Sequence, residues 1–228
     1  MYVFYAKKVY DGIDSKKVKE MGWFLPRKNL SYENLLDSLL SDPKLLRKNE
    51  QQLFGQYYKL RDVLKKYRQI EKNGGWNPIA IDSLEKTYKP SDSSKTIGQI
   101  RQRLALTGDL KLDSKSNVYD EELMAGILNY KKRNGFNTDY LIASKHIQRM
   151  NIPIENYIKT IIANMERCRW IDPKLTKTDE YIIINIPSYQ FFFKKNGQNE
   201  LESKVFVGKN MNKTVVLSSN IDKIVFSP

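Results

Sequence analysis

Apolar residues change their spacing once along this chain, and that change limits what the chain can fold into. Before Pro173 they recur at steps of three and four, as between Leu60 and Leu64, which places them on one stripe of a helix. After Pro173 the step becomes two, as between Ile182 and Ile184, which is the period of a half-buried strand. The sequence therefore predicts an α+β fold in which helices come first and strands last.

Cap residues predict where the helices begin. Ser and Asp are favoured there because a side-chain oxygen accepts a free backbone N–H, and Pro because it has no N–H to leave unpaired. The predicted starts are Ser31, Asp42 with Pro43, Asp120, Ser144 and Pro153. The helix from Asp120 also has acidic residues in its first turn and basic residues in its last turn before Gly135, an order that complements the helix dipole.

The strand region contains one strong turn signal. Asn196-Gly197 favours a two-residue hairpin turn, because both central positions need a positive φ. The predicted strands are 182–186, 191–193, 205–207, 214–217 and 223–226. The segment 173–228 would therefore supply about five strands of a larger, incomplete sheet.

The net charge of +13 indicates an anionic partner, because a field of one sign concentrates polymers of the other sign. Basic residues are nevertheless spread along the chain in short pairs such as Lys16-Lys17 and Lys65-Lys66, among 26 acidic residues. Such pairs on amphipathic helices usually face water. No nucleic-acid-binding signature accompanies them, so nucleic acid is not the expected partner.

Simple motif counts limit the chemistry further. The single cysteine, Cys168, allows no intramolecular disulfide, and His146 has no second His or Cys at metal-ligand spacing, so no metal site and no cofactor are predicted.

The sequence has no apolar run of about 20 residues, the length that a transmembrane helix needs. The start at Met1 lacks the features of a secretory signal, so an envelope address or membrane attachment would have to come from a preceding segment.

Several blocks of sequence resemble one family. They are the segments 74–79 (GGWNPI), 100–104 (IRQRL), 108–110 (GDL), 119–123 (YDEEL), 164–170 (NMERCRW), 181–187 (YIIINIP) and 207–209 (VGK). In order and spacing these blocks are similar to the larger, scaffold-bearing subgroup of YkuD-type L,D-transpeptidases of peptidoglycan. The resemblance covers nearly the whole chain and is weakest over the first 50 or so residues.

The resemblance implies a domain organisation. Residues 1–95 would form a helical scaffold, 96–152 an inserted three-helix module similar to peptidoglycan-binding modules, 153–172 a helix that returns to the scaffold, and 173–228 the first strands of a catalytic β domain. The implied partner is peptidoglycan, both its glycan strands and its stem peptides. The implied location is the periplasm or cell envelope of a bacterium.

The resemblance also implies acyl transfer through a cysteine. In the family a thiolate attacks a carbonyl of the tetrapeptide stem and releases the terminal D-alanine, and an amine of a second stem then resolves the acyl-enzyme into a 3→3 cross-link. The family's Ser-His-Gly-Cys type motif has no counterpart here, since the chain has no Cys after Cys168 and no His after His146. We therefore expect a truncated chain that binds peptidoglycan and does not catalyse. A non-catalytic peptidoglycan-binding or scaffolding protein is the alternative, and the gene sequence beyond residue 228 would separate the two.

Four residues are candidates for substrate binding, and no residue is a candidate for catalysis. Arg167 and Arg169 could clamp the carboxylates of stem peptides or could tie a helix end to neighbouring acids, and both interpretations stay open. Tyr119 and Tyr140 could line a glycan groove or belong to the core.

Structural roles are expected for the other conspicuous residues. Cys168 lies at the end of an apolar helix and is interpreted as a small buried hydrophobe. His146 is interpreted as a surface or half-buried imidazole. Trp76 and Trp170 lie near turns, where large aromatic rings more often anchor the core than stack on sugars.

Overall fold

The computed structural model describes residues 1–28, 30–44, 53–81, 86–209 and 211–226. The fold is α+β, as predicted, and the chain divides into two compact units. One unit comprises Met1–Val63 and Ile161–Pro228, and the other comprises Leu64–Thr160.

The longer strands follow the helices, as predicted, but three strands of two residues lie among the helices. The helices are α1 (Tyr2–Tyr10), α2 (Ser15–Glu20), α3 (Tyr32–Ser41), α4 (Gln56–Lys72), α5 (Lys95–Thr107), α6 (Glu121–Asn134), α7 (Ser144–Met150) and α8 (Ile154–Arg169), with short 3-10 helices at Pro173–Thr176 and Ile186–Ser188. The strands are β1 (Trp23–Phe24), β2 (Thr87–Tyr88), β3 (Ile142–Ala143), β4 (Glu180–Asn185), β5 (Gln190–Lys195), β6 (Gln198–Lys204) and β7 (Val216–Leu217). The helix predicted to begin at Asp42 and Pro43 falls largely on 45–52, outside the described residues.

The helix caps confirm two predicted starts and correct a third. Ser31 Oγ accepts the Asn34 N–H at 3.3 Å, and Asp120 Oδ1 accepts the Leu123 N–H at 3.0 Å. Ser144 is the first residue of α7 and not its cap; the capping residue is Ala143, whose N–H is donated to His146 Nδ1 at 3.0 Å. The imidazole therefore accepts the N–H of the capping residue itself, which is the half of a capping box that a side chain in the first turn supplies.

The Leu64–Thr160 unit is built on one hydrophobic core. Most of its buried members come from α5, α6 and α7, and the core also includes Ile79 and Tyr88. Tyr88 belongs to β2, which pairs antiparallel with β3 so that Tyr88 lies opposite Ile142. The core thus draws on residues that precede the 96–152 segment.

Glu166 organises the chain near the end of α8 in the other unit. Its Oε1 accepts the Ile13 N–H at 2.8 Å and the Trp170 Nε1–H at 2.9 Å, while its Oε2 accepts the Arg169 guanidinium at 2.6 Å. A Cβ on Gly12 would lie 2.1 Å from Glu166 Oε1, and the φ of Gly12 is +70°. Glycine suits that position, because a Cβ would displace the Glu166 carboxylate and the left-handed conformation strains other residues.

Strand pairing in the C-terminal region agrees with the predicted hairpin. Strands β4, β5 and β6 form an antiparallel sheet, and Asn196 and Gly197 form the turn between β5 and β6 with φ of 49° and 78°. The third strand spans Gln198–Lys204 and ends before the predicted segment 205–207.

The prediction of one sheet with about five strands is wrong in its pairing. Strand β7 pairs in parallel with β1, with Trp23 opposite Val216, and does not extend the three-stranded sheet. Residues 223–226 are described and form no strand. The partner β1 has two residues and no alternating pattern, so its pairing depends on tertiary contacts.

One face of the three-stranded sheet is apolar and largely exposed. The strand registers place Ile182, Ile184, Phe191, Phe193 and Leu201 on that face.

Among the described residues, no helix is both long and apolar enough to cross a membrane.

Candidate functional site

The indole of Trp76 borders two cavities in the Leu64–Thr160 unit. The larger, which we name the Trp76 groove, has a volume of about 240 Å³ and is lined by residues of the segments 74–78 and 151–155. The smaller, which we name the Arg103 pocket, has a volume of about 10 Å³. It is lined by Tyr67, Trp76, Arg103, Thr107, Tyr130, Arg133, Met150 and Tyr157.

The turn after α4 positions the indole. Gly74 and Gly75 have φ of 97° and 70°, a conformation that ends the helix and that side chains rarely adopt. Trp76 then donates its Nε1–H to the Ile152 carbonyl at 3.2 Å. Its ring meets Tyr157 nearly edge-on, with centroids 5.8 Å apart. Trp76 is half-buried. The sequence had favoured a position within the core.

The Trp76 groove combines an aromatic wall with polar groups. The Asn151 side chain holds the segment at Ile79 in place: its amide oxygen accepts the Ile79 N–H at 2.8 Å, and its amide nitrogen donates to the Ile79 carbonyl at 2.9 Å. Glu155, in the first turn of α8, is exposed at the groove. An indole beside a carboxylate acceptor can stack on an apolar ring face and accept hydroxyl or amine protons.

Arg103 lies against the indole on the side of the smaller cavity. Its guanidinium carbon is 4.4 Å from the Trp76 ring centroid, a cation–π contact. Nη2 donates to the Asn77 carbonyl at 2.8 Å and Nη1 donates to the Met150 carbonyl. Burial lowers the pKa of Arg103 to about 10, although the group stays protonated at neutral pH.

A second guanidinium in the same pocket is fully compensated. Arg133 donates from Nε and Nη2 to the two carboxylate oxygens of Asp109 at 2.8 Å and 2.6 Å. Such bidentate pairs fix both the position and the charge of the cation. Asp109 also accepts the Thr107 hydroxyl at 2.7 Å, which locks the carboxylate in place.

Two further buried cations of this unit have acidic partners. Arg101, whose side chain is 0% exposed, pairs with Asp120 at 2.7 Å and with Glu122 at 2.9 Å. Lys131, 1% exposed, pairs with Asp139 at 2.5 Å. Lys131 is an exception to the interpretation of the basic runs as solvated faces, because it is buried against Asp139, whereas the pairs Lys16-Lys17 and Lys65-Lys66 are exposed as expected.

The predicted pair of tyrosines divides into a core residue and a surface residue. Tyr119 is buried, and its hydroxyl donates to the Tyr140 carbonyl at 2.6 Å. Its ring therefore offers no surface to a glycan in this conformation. Tyr140 itself is exposed, but it is not among the residues that line either cavity described above.

The predicted pair of arginines lies at the end of α8. Arg169 binds Glu166 and donates from Nε to the Val9 carbonyl at 2.8 Å, so it ties the helix end to its surroundings. That contact corresponds to the second of the two interpretations left open by the sequence. Arg167 is exposed and donates to Asn164 Oδ1 at 2.9 Å, a neighbour on its own helix.

Cys168 is buried, as predicted, and its environment opposes nucleophilic chemistry. Burial raises the pKa of the Cys168 thiol to about 11, and the nearby Arg169 offsets that effect only in part. The thiol is therefore protonated at neutral pH. Trp170, two residues further along the chain, is also buried, and its ring meets that of Trp23 edge-on with centroids 5.2 Å apart.

Alkylation of Cys168 is expected to be slow in the folded chain. At pH 8 a thiol with a pKa near 11 has on the order of a hundredfold less thiolate than an ordinary cysteine, and burial reduces access further. Iodoacetamide labelling followed by mass spectrometry measures the rate, with the chain unfolded in urea as the control. Equal rates in the folded and unfolded chain would contradict the buried, protonated thiol.

His146 is buried, not at the surface or half-buried as the sequence indicated. Besides accepting from Ala143, its ring meets Phe136 edge-on with centroids 4.8 Å apart, and Tyr130 donates to its backbone carbonyl. Within the described ranges, no group of three His, Cys, Asp or Glu residues is arranged to hold a metal ion.

Sequence reasoning did not find the Arg103 pocket. Arg103 lies in a segment that reads as an ordinary amphipathic helix, and nothing local indicates that its guanidinium is buried against an indole from another segment. The available signal was the Gly74-Gly75-Trp76 turn, which puts a large aromatic ring just after a helix end.

No protein-family model matches the chain, and no curated protein matches it at a significant level.

Proposed function

We propose that this chain is the scaffold and wall-binding part of a peptidoglycan L,D-transpeptidase, and that it binds peptidoglycan through the Trp76 groove. The observation that carries the proposal is a groove of about 240 Å³ whose lining includes both the half-buried Trp76 and the exposed Glu155. The groove is smaller than the roughly 300–1,000 Å³ of pockets for drug-sized ligands, so it suits one sugar ring or one residue of a stem peptide.

The chemistry of the groove favours a saccharide. A sugar ring has an apolar face of C–H groups that packs on an indole, while its rim of hydroxyl groups needs acceptors. Glu155 supplies such an acceptor. The net charge of +13 adds long-range attraction to a polymer whose stem peptides carry carboxylates.

The domain arrangement implied by the family resemblance is part of this proposal. Helices α5, α6 and α7 lie within 96–152 to within a residue and would form the wall-binding module, and 1–95 with 153–172 would form the scaffold. Strands β4 to β7 would begin the catalytic β domain. The proposal places the protein in the periplasm or cell envelope of a bacterium.

The chain alone is not proposed to catalyse cross-linking. Transfer through a cysteine needs a thiolate near neutral pH and an imidazole that can accept its proton. Cys168 has a raised pKa, and His146 has a lowered pKa with its Nδ1 already bonded to Ala143. Both residues are explained by their structural contacts.

Substitution of Glu155 with glutamine is expected to weaken peptidoglycan binding about tenfold, the effect of losing one charge-assisted hydrogen bond. The measurement is co-sedimentation of the purified chain with insoluble sacculi over a range of protein concentrations. Glu121 provides a matched control, because it is also an exposed glutamate in the first turn of a helix but is not among the residues lining the groove. Glu121→Gln should bind as the wild type does.

Two outcomes would reject the proposal. One is equal binding by Glu155→Gln and Glu121→Gln, which would show that the carboxylate at the groove makes no contribution of its own. The other is failure of the wild type to sediment with sacculi while DNA retains it at moderate salt, since phosphate-driven binding should weaken steeply as salt rises.

A further inference from the structure

Arg103 is a buried cation that has no acidic partner among the described residues, which distinguishes it from Arg101 and Lys131. Charged side chains are almost never fully buried without a partner of opposite charge. Arg101 and Lys131 obey that rule through Asp120, Glu122 and Asp139. Arg103 is 4% exposed, and within the described ranges no carboxylate forms an ion pair with it.

The contacts that Arg103 does make leave part of its fork unused. Two of its protons are donated to the carbonyls of Asn77 and Met150, and its π face covers Trp76. A guanidinium has five N–H donors, so further protons are available, and none of them is given to another acceptor among the described residues. The group also lines the Arg103 pocket, which is where a further acceptor can reach it.

The pocket has the size and polarity for one anionic oxygen. Its volume of about 10 Å³ holds one water-sized atom, close to the minimum for a buried water. Its other cation, Arg133, is neutralised by Asp109, so the pocket keeps the one positive charge of Arg103. The walls include the rings of Tyr67, Trp76 and Tyr157, which exclude water and strengthen an ionic contact.

We propose that the Arg103 pocket is a carboxylate-binding subsite in which one oxygen of the ligand accepts the free protons of Arg103. A planar carboxylate can insert one oxygen edge-on and leave the other at the mouth, and Arg is suited to that planar geometry. A tetrahedral phosphate would need more room around the same oxygen. This inference does not depend on peptidoglycan binding, since it rests on the charge and space around Arg103.

Nitrogen-15 spectra of the arginine side chains of the full chain test the proposal directly. N-acetylglycine is the probe, and N-acetylglycinamide is its neutral counterpart with the same shape. We expect the Arg103 Nε–H signal to shift saturably with N-acetylglycine and the amide to bind at least tenfold more weakly. Acetate as a second probe shows whether the carboxylate alone is sufficient or whether a peptide terminus is preferred, and saturable binding of either carboxylate supports the subsite.

A pair of charge-matched variants separates the pocket from the general field of the protein. Arg103→Gln and Lys111→Gln each remove one positive charge, and Lys111 is exposed and outside the pocket. We expect Arg103→Gln to weaken N-acetylglycine binding at least tenfold and Lys111→Gln to leave it unchanged. If Arg103→Gln does not fold, the comparison of acid and amide in the wild type decides the matter.

Three results would overturn the proposal. They are the absence of a saturable Arg103 shift at tens of millimolar N-acetylglycine, equal shifts with the amide, and tighter binding of inorganic phosphate than of either carboxylate. Failure of the chain to sediment with sacculi would reject the proposed function and leave this test unaffected.

Discussion

Arg101→Ala is expected to lower the free energy of unfolding by about 3 kcal/mol, the low end of the range for breaking a buried ion pair from one side. The guanidinium is fully buried and donates to the carbonyls of Ser116 and Val118 as well as to Asp120 and Glu122. Removing it leaves two carbonyls and two carboxylates without their donors. The low end applies because the side chains of Asp120 and Glu122 are 39% and 42% exposed, so water can hydrate them again.

Urea unfolding followed by circular dichroism measures this effect. Arg68→Ala is the control, since Arg68 is an exposed residue of α4 and its replacement should change stability by no more than about 0.5 kcal/mol. Arg101→Met retains much of the side-chain volume but none of the donors, so it should be nearly as destabilised as Arg101→Ala. A loss below about 1 kcal/mol for Arg101→Ala would show that this network does not hold α5 to the segment before α6.

Acidification is expected to destabilise the chain by about 2 kcal/mol between pH 7 and pH 4.5 through His146 alone. Burial lowers the pKa of His146 from 6.5 to about 4, with Lys131 and Lys145 lowering it further and Asp139 opposing them. Below pH 6.5 the unfolded chain takes up a proton that the folded chain does not, so stability falls as the pH falls toward 4. Well above pH 6.5 the imidazole is neutral in both states and contributes no pH dependence.

The matched variant is His146→Gln, which keeps an acceptor for the Ala143 N–H and removes the titration. Its free energy of unfolding should change less between pH 7 and pH 4.5 than that of the wild type, by about 2 kcal/mol. Asp120 and Asp139 also have lowered pKa values, but carboxylates lose their contribution at lower pH, so they do not mask the difference. Identical pH profiles for the two proteins would show that His146 does not titrate in this way.

Local signals were sufficient for much of the fold. The Ser31 and Asp120 caps, the change of period near Pro173 and the Asn196-Gly197 hairpin all depend on residues close together in the chain. Each is governed by short-range rules about φ or about free N–H groups, and so each is visible in the sequence.

The features that sequence reasoning missed depend on distant partners. Strand β1 has only two residues, and it becomes a strand because Trp23 pairs with Val216. Lys131 belongs to a basic run that looks solvated until Asp139 and the Leu141 carbonyl are found against its ammonium group. The candidate site has the same origin, because the Arg103 pocket combines side chains from five helices and one turn.

The extent of the hydrophobic core decides where this protein can be divided for study. A fragment starting at residue 96 would lack Ile79 and Tyr88, both of which are buried in that core, and would leave Ile142 without the strand it pairs with. In such a fragment β3 would have an unpaired edge, so the fragment should tend to aggregate. Recombinant work on the Leu64–Thr160 unit should therefore begin no later than residue 64 and extend at least to residue 160.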